Sequence, residues 1–131
     1  MNDEAVVSAA DLSVARLIGK EIHFAEGLLG FPDDRHFKFS RFNPGDGSES
    51  PFFLLESVDG ALSFALIHPD LLSIQFHLPV FPELLDCLHA ADGADLVPLL
   101  IVTVRDSVDG VTVNLQGPLV VNPYTLLGTQ L

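Results

Sequence analysis

Hydrophobic and polar positions alternate with a period of two along most of this chain, and that alternation predicts half-buried strands. Ile18, Ile22 and Phe24 fall on one side while Gly19, Glu21 and His23 fall on the other, giving a first strand from about Arg16. The loop Gly27-Leu28-Leu29-Gly30-Phe31-Pro32-Asp33-Asp34 breaks the pattern. Phe37 and Phe39, alternating with His36, Lys38 and Ser40, resume it in a second strand that the turn-rich stretch 43–48 closes. Residues 52–57 and 61–67 form the next two strands. Val58-Asp59-Gly60 lies between them, and Asp-Gly between apolar runs signals a hairpin because both turn positions tolerate positive φ.

The period changes once. Phe81, Leu84, Leu85 and Leu88 stand at i, i+3, i+4 and i+7, which predicts one short amphipathic helix, with Pro82 in its first turn and Gly93 where the chain leaves. Residues 96–104 are almost wholly apolar, as expected of a strand covered on both faces, with Pro98 near its start. Residues 104–106 and 111–115 flank Ser107-Val108-Asp109-Gly110 as a hairpin, and 119–122 and 124–131 read as two last strands. The fold class expected is mostly β: a small antiparallel barrel or sandwich of about eight strands with one short helix. Glu56-Ser57-Val58-Asp59-Gly60 and Asp106-Ser107-Val108-Asp109-Gly110 nearly repeat one another. The flanking residues do not continue the match, so shared turn chemistry is favoured over duplication.

Residues 1–14 have no clear period and start acidic, so they are expected to be a flexible arm before a single domain at 15–131. A chain of 131 residues with 48 % hydrophobic composition is sufficient for one ordinary core. Cys87 is the lone cysteine, which excludes an internal disulfide and favours a reducing compartment. The start Met-Asn-Asp-Glu has the wrong sign for a signal peptide, and no apolar run approaches the roughly 20 residues of a spanning helix. A cytoplasmic protein without membrane association is expected.

Charge adds a partner preference. Six basic against 18 acidic residues give a net charge of -12, and from Phe42 onward Arg105 is the only base. Such a chain repels a phosphate backbone, so direct nucleic-acid binding is not expected, and it attracts basic partners. The same charge also serves to keep a very apolar protein in solution.

Catalytic chemistry finds little support. His23, His36, His68, His77 and His89 show neither zincin nor zinc-finger spacing, Cys87 and His89 lie on different helix faces, and Asp33, Asp34 and His36 read as a solvated loop. Ser48 has no strand-to-helix elbow, no phosphate-binding glycine motif occurs, and Cys87 beside Leu85 and Leu88 reads as a small hydrophobe. No catalytic residue, metal or cofactor is expected. Two features rise above the background. The apolar 28–32 loop must cover core or meet a partner; Phe31 suits the first role, Leu28 or Leu29 the second. Asn114, Asn122 and Gln130 form a polar line on the last strands, with turn and edge chemistry as the simpler role.

These residues carry a resemblance to the bacterial flagellar assembly factor family, FliW. Glu26-Gly27-Leu28-Leu29-Gly30-Phe31 resembles the family's Glu-Gly-(Leu/Ile)-x-Gly-Phe signature after its first strand. Pro51-Phe52-Phe53-Leu54-Leu55-Glu56-Ser57 with Phe64 and Pro69 resembles a second block, and Asn114-Leu115-Gln116-Gly117-Pro118-Leu119-Val120-Val121-Asn122 is similar to a third, in the family's order. His68-Pro69 stands where the family commonly has Asp-Pro, and the usual Gln-x-x-Leu ending is shortened at Gly128-Thr129-Gln130-Leu131, which predicts a trimmed final edge strand.

The resemblance implies a non-enzymatic cytosolic chaperone and translation regulator. Such factors bind flagellin and the translational repressor carbon storage regulator, and by switching between the two they control flagellin synthesis. The partner-binding residues expected are Leu28, Leu29, Phe31, Asn114, Leu115, Pro118 and Asn122. The alternative reading is a small β-barrel enzyme or small-molecule-binding domain, which would need a polar pocket where His36, His68 or His77 converge. A third is a subunit that self-assembles through an exposed sheet edge.

Overall fold

The alternating strands close on themselves, because a curled sheet with one apolar face buries that face best against itself. The computed structural model describes residues 14–42, 51–59, 62–72, 76–104 and 111–131, with backbone only at 103, 104, 111, 112 and 114–116. Its strands are β1 (Glu21–Phe24), β2 (His36–Arg41), β3 (Phe52–Ser57), β4 (Ser63–Ile67), β5 (Val97–Val104), β6 (Val111–Asn122) and β7 (Leu127–Gln130). They form a closed barrel in chain order, antiparallel at every step until β7 meets β1 in parallel. That parallel seam is short: His23 lies opposite Leu127 and Phe24 opposite Gly128.

The interior is aromatic and aliphatic. Ile22, Phe24, Phe37, Phe39, Phe53, Leu55, Leu66, Leu99, Leu119 and Val121 interlock there. Phe24 and Phe37 meet edge to face at 5.6 Å, and Phe39 and Phe53 stack at 5.2 Å. Gly128 is required at the seam, since a Cβ there would stand 2.7 Å from the Phe24 ring.

The helix predicted around Leu84 forms as α1 (Pro82–Leu88), with Pro82 in its first turn and His89 ending it in the left-handed region at φ 54°. It lies outside the barrel, where Leu84 and Leu88 pack with Leu96 and Val120. Ile67, Leu100 and Val102 form a further outer cluster. Strand β5 thus has apolar neighbours on both faces, as its near-continuous hydrophobic run predicts.

Three expectations are corrected by local physics. The first strand starts at Glu21, because Val14 and Leu17 are spaced for a helical turn; both are buried, and Gly19 at φ +82° lets the chain leave it. The stretches 111–115 and 119–122 belong to one long strand, β6, whose pairing with β5 jumps from Ile101–Asn114 to Leu99–Leu119. Gly117-Pro118 occupies that irregularity, and proline has no N–H to give a ladder. Residues 123–126 turn the chain, so β7 starts at Leu127, and pairing on both sides makes it the closing strand and not an edge. The expected arm at 1–14 lies, apart from Val14, outside the described residues, as does the centre of the 105–110 hairpin.

Candidate partner-binding surface

The 28–32 loop is built by its glycines. Gly27 takes φ +69°, and a Cβ there would press to 2.5 Å from the Phe31 carbonyl oxygen, so the chain can cross itself only with glycine in place. Leu28 and Phe31 then exchange backbone hydrogen bonds: the Phe31 N–H donates to the Leu28 carbonyl at 2.7 Å and the Leu28 N–H to the Phe31 carbonyl at 3.2 Å. Gly30 at φ +87° occupies the third position of the resulting turn, the type II position that demands positive φ.

That geometry separates two adjacent leucines. Leu28, at 4 % exposure, joins the core, whereas Leu29, at the corner of the turn, is 82 % exposed. Phe31 lies between these extremes, 38 % exposed and edge-on to Phe64 at 5.9 Å. Beneath the turn runs a groove of about 340 Å³ lined by residues 26–30, Pro32, Thr129, Gln130 and Leu131.

Gln130 joins this loop to the last strands. Its Oε1 accepts from the Leu29 N–H at 2.7 Å, and its Nε2 donates to the Gly117 carbonyl at 3.0 Å. Pro118, next to that carbonyl, is buried and accepts from the Leu131 N–H at 3.0 Å. The structure therefore brings the 28–32 loop and the 117–118 bend together, although they are distant in sequence. Asn114 is placed in register with Ile101, while its side chain and that of Leu115 are outside the described residues.

Asn122 occupies a different position and does a different job. It is buried, its Nδ2 donates to the Leu88 carbonyl at 2.8 Å, and its Oδ1 accepts from the Tyr124 N–H at 3.0 Å. Thr125 Oγ1 donates to the same Leu88 carbonyl at 3.0 Å. Both satisfy an orphan carbonyl at the end of α1, so Asn122 fixes the helix to the barrel instead of offering hydrogen bonds from the sheet surface. A polar residue after the buried run Leu119-Val120-Val121 was the sequence signal for such a role, because a buried amide must be paired.

The electrostatic setting is acidic. Glu21, Glu26, Asp33, Glu56, Asp59, Glu83 and Asp86 are all exposed. Burial raises the Cys87 thiol pKa, and the charges of Glu26 and Asp86 raise it further, so Glu26 at the groove lies within electrostatic reach of α1. A second groove of about 260 Å³ runs along Glu21, residues 33–36 and residues 57–59. Of the histidines proposed to converge, His36 lines this second groove, His68 accepts from the Asp70 N–H at 3.0 Å beyond β4, and His77 is exposed. Neither groove has His68 or His77 on its wall.

Comparison with known proteins decides the family. The model of the FliW protein family matches residues 9–131. The chain belongs to the FliW family. A flagellar assembly factor FliW from Alkaliphilus metalliredigens is 34 % identical over 111 residues, which cover 84 % of this chain and 67 % of that protein. The FliW of Treponema pallidum is 36 % identical over 102 residues, covering 77 % of this chain and 65 % of its own length. A crystal structure of the flagellar assembly factor FliW superposes with a TM-score of 0.72 at 30 % identity, covering 85 % of this chain and 75 % of that one. The FliW match spans the 28–32 loop, the 117–118 bend and Gln130 alike.

Proposed function

We propose that this chain is a non-enzymatic flagellar assembly factor that acts by holding protein partners. Membership of a family of proteins named flagellar assembly factors supports the role in flagellar assembly. The observation that carries the binding mode is Leu29: a large apolar side chain at a rigid turn corner, almost fully exposed above a groove. Exposed leucines are common singly, but this one is held out by Gly27, Gly30 and Gln130. The partners are flagellin, through the apolar corner, and the basic repressor carbon storage regulator, through the acidic surface. Exchange between them in the cytosol releases or restrains flagellin synthesis.

An acidic surface attracts a basic RNA-binding protein and repels the phosphates that compete for it. Repressor binding therefore weakens steeply as salt rises, while flagellin binding through apolar contact responds less. Calorimetric titration with each partner from the same organism, at low and high salt, tests both statements. Saturable heats with unequal salt slopes support the proposal. Absence of heat with either partner, from folded protein, would sink it.

A further inference from the structure

We infer that Gln130 is a positioning residue that sets Leu29 for its partner and ties the 28–32 loop to the bend in β6; this rests on the reading of Leu29 as a docking corner. The two hydrogen bonds of Gln130 are of opposite kind. The Leu29 N–H needs an acceptor and the Gly117 carbonyl needs a donor, and a primary amide is the short side chain that provides both at once. That complementarity also fixes the orientation of the amide group.

The Leu29 N–H lies at the outer corner of the turn, where no strand pairs with it, because Leu28 and Phe31 already bond to each other. The Gly117 carbonyl lies where β6 breaks step with β5, so its usual cross-strand partner is displaced. One side chain therefore satisfies two backbone groups that the sheet leaves over, one in the loop between β1 and β2 and the other within β6. Gln130 itself is anchored in β7, opposite Leu119, so the loop is fastened to a rigid element and not only to itself.

Substitutions separate the two bonds. Gln130→Ala removes both; Gln130→Glu keeps an acceptor for Leu29 and removes the donor to Gly117. Hydrogen exchange of the Leu29 amide reads the loop without any partner, and titration with flagellin reads its use. In Gln130→Ala the Leu29 amide exchanges about tenfold faster and flagellin affinity falls by about two- to tenfold, the range of one lost hydrogen bond. Gln130→Glu restores protection of Leu29 and recovers most of the affinity lost in the alanine variant, which a role in general stability would not produce. Unchanged Leu29 exchange in Gln130→Ala overturns the inference, and so does flagellin binding equal to wild type. Failure of the wild type to bind flagellin would instead strike the proposed function, leaving the exchange rates to decide the role of Gln130.

Discussion

Two side-chain amides near the end of the chain, Asn122 and Gln130, hold two different parts of the barrel. On the helix side, Asn122 is buried and spends its amide on the carbonyl that ends α1, with Leu84, Leu88 and Val120 packed beneath. On the loop side, Gln130 is half-buried and supports a turn whose corner leucine, Leu29, points into solvent. The first arrangement hides hydrophobic surface and the second displays it. Similar chemistry thus serves stability in one place and presentation in the other, and burial of what it holds makes the difference.

Variants on the two sides separate these roles. Leu88→Ala on the helix side has the largest expected effect, a loss of about 2–5 kcal/mol in urea unfolding, because a fully buried leucine leaves a cavity between helix and barrel. Gly128→Ala, at the seam between the two sides, costs about 1–3 kcal/mol through its clash with Phe24. Asn122→Ala costs about 1 kcal/mol, the low end for a buried polar group losing its partner, since Thr125 still donates to the Leu88 carbonyl. Leu29→Ser changes stability by less than about 0.5 kcal/mol, as an exposed position should. A Leu29→Ser loss as large as that of Asn122→Ala would erase the distinction between the two sides.

The smallest effect concerns Cys87. Its thiol donates to the Leu84 carbonyl at 3.4 Å, and burial with the nearby Glu26 and Asp86 charges lifts its pKa above the ordinary value. The thiolate is the reactive form, so alkylation at neutral pH runs slower than for an unhindered thiol, and its rate rises to a plateau at higher pH. Alkylation rates measured across that pH range check the direction; Glu26→Gln should speed the reaction modestly.

What the sequence shows plainly is what repeats. Alternation over Phe37 and Phe39, and the 3–4 spacing over Leu84 and Leu88, each report a local face, and both elements form where that spacing places them. The parallel closure of β7 on β1 is not legible in this way, since two residue pairs carry it and neither His23 nor Leu127 advertises the other. Among the described residues before β1, only Val14 and Leu17 are buried at helical spacing, and two positions do not establish a period against the strand that follows. At the candidate site the apolar loop stands out as a composition anomaly. Gln130 stands out only as a polar residue near the end of a strand, because its meaning lies in two backbone groups distant in sequence.

The most direct test of the account is calorimetric titration of flagellin into the wild-type protein and into Leu29→Ser, side by side, with both shown to be folded. Removing a leucine side chain that becomes buried on binding weakens affinity by about ten- to a hundredfold while stability stays unchanged. Equal affinities for the two proteins would contradict the claim that Leu29 is the docking corner.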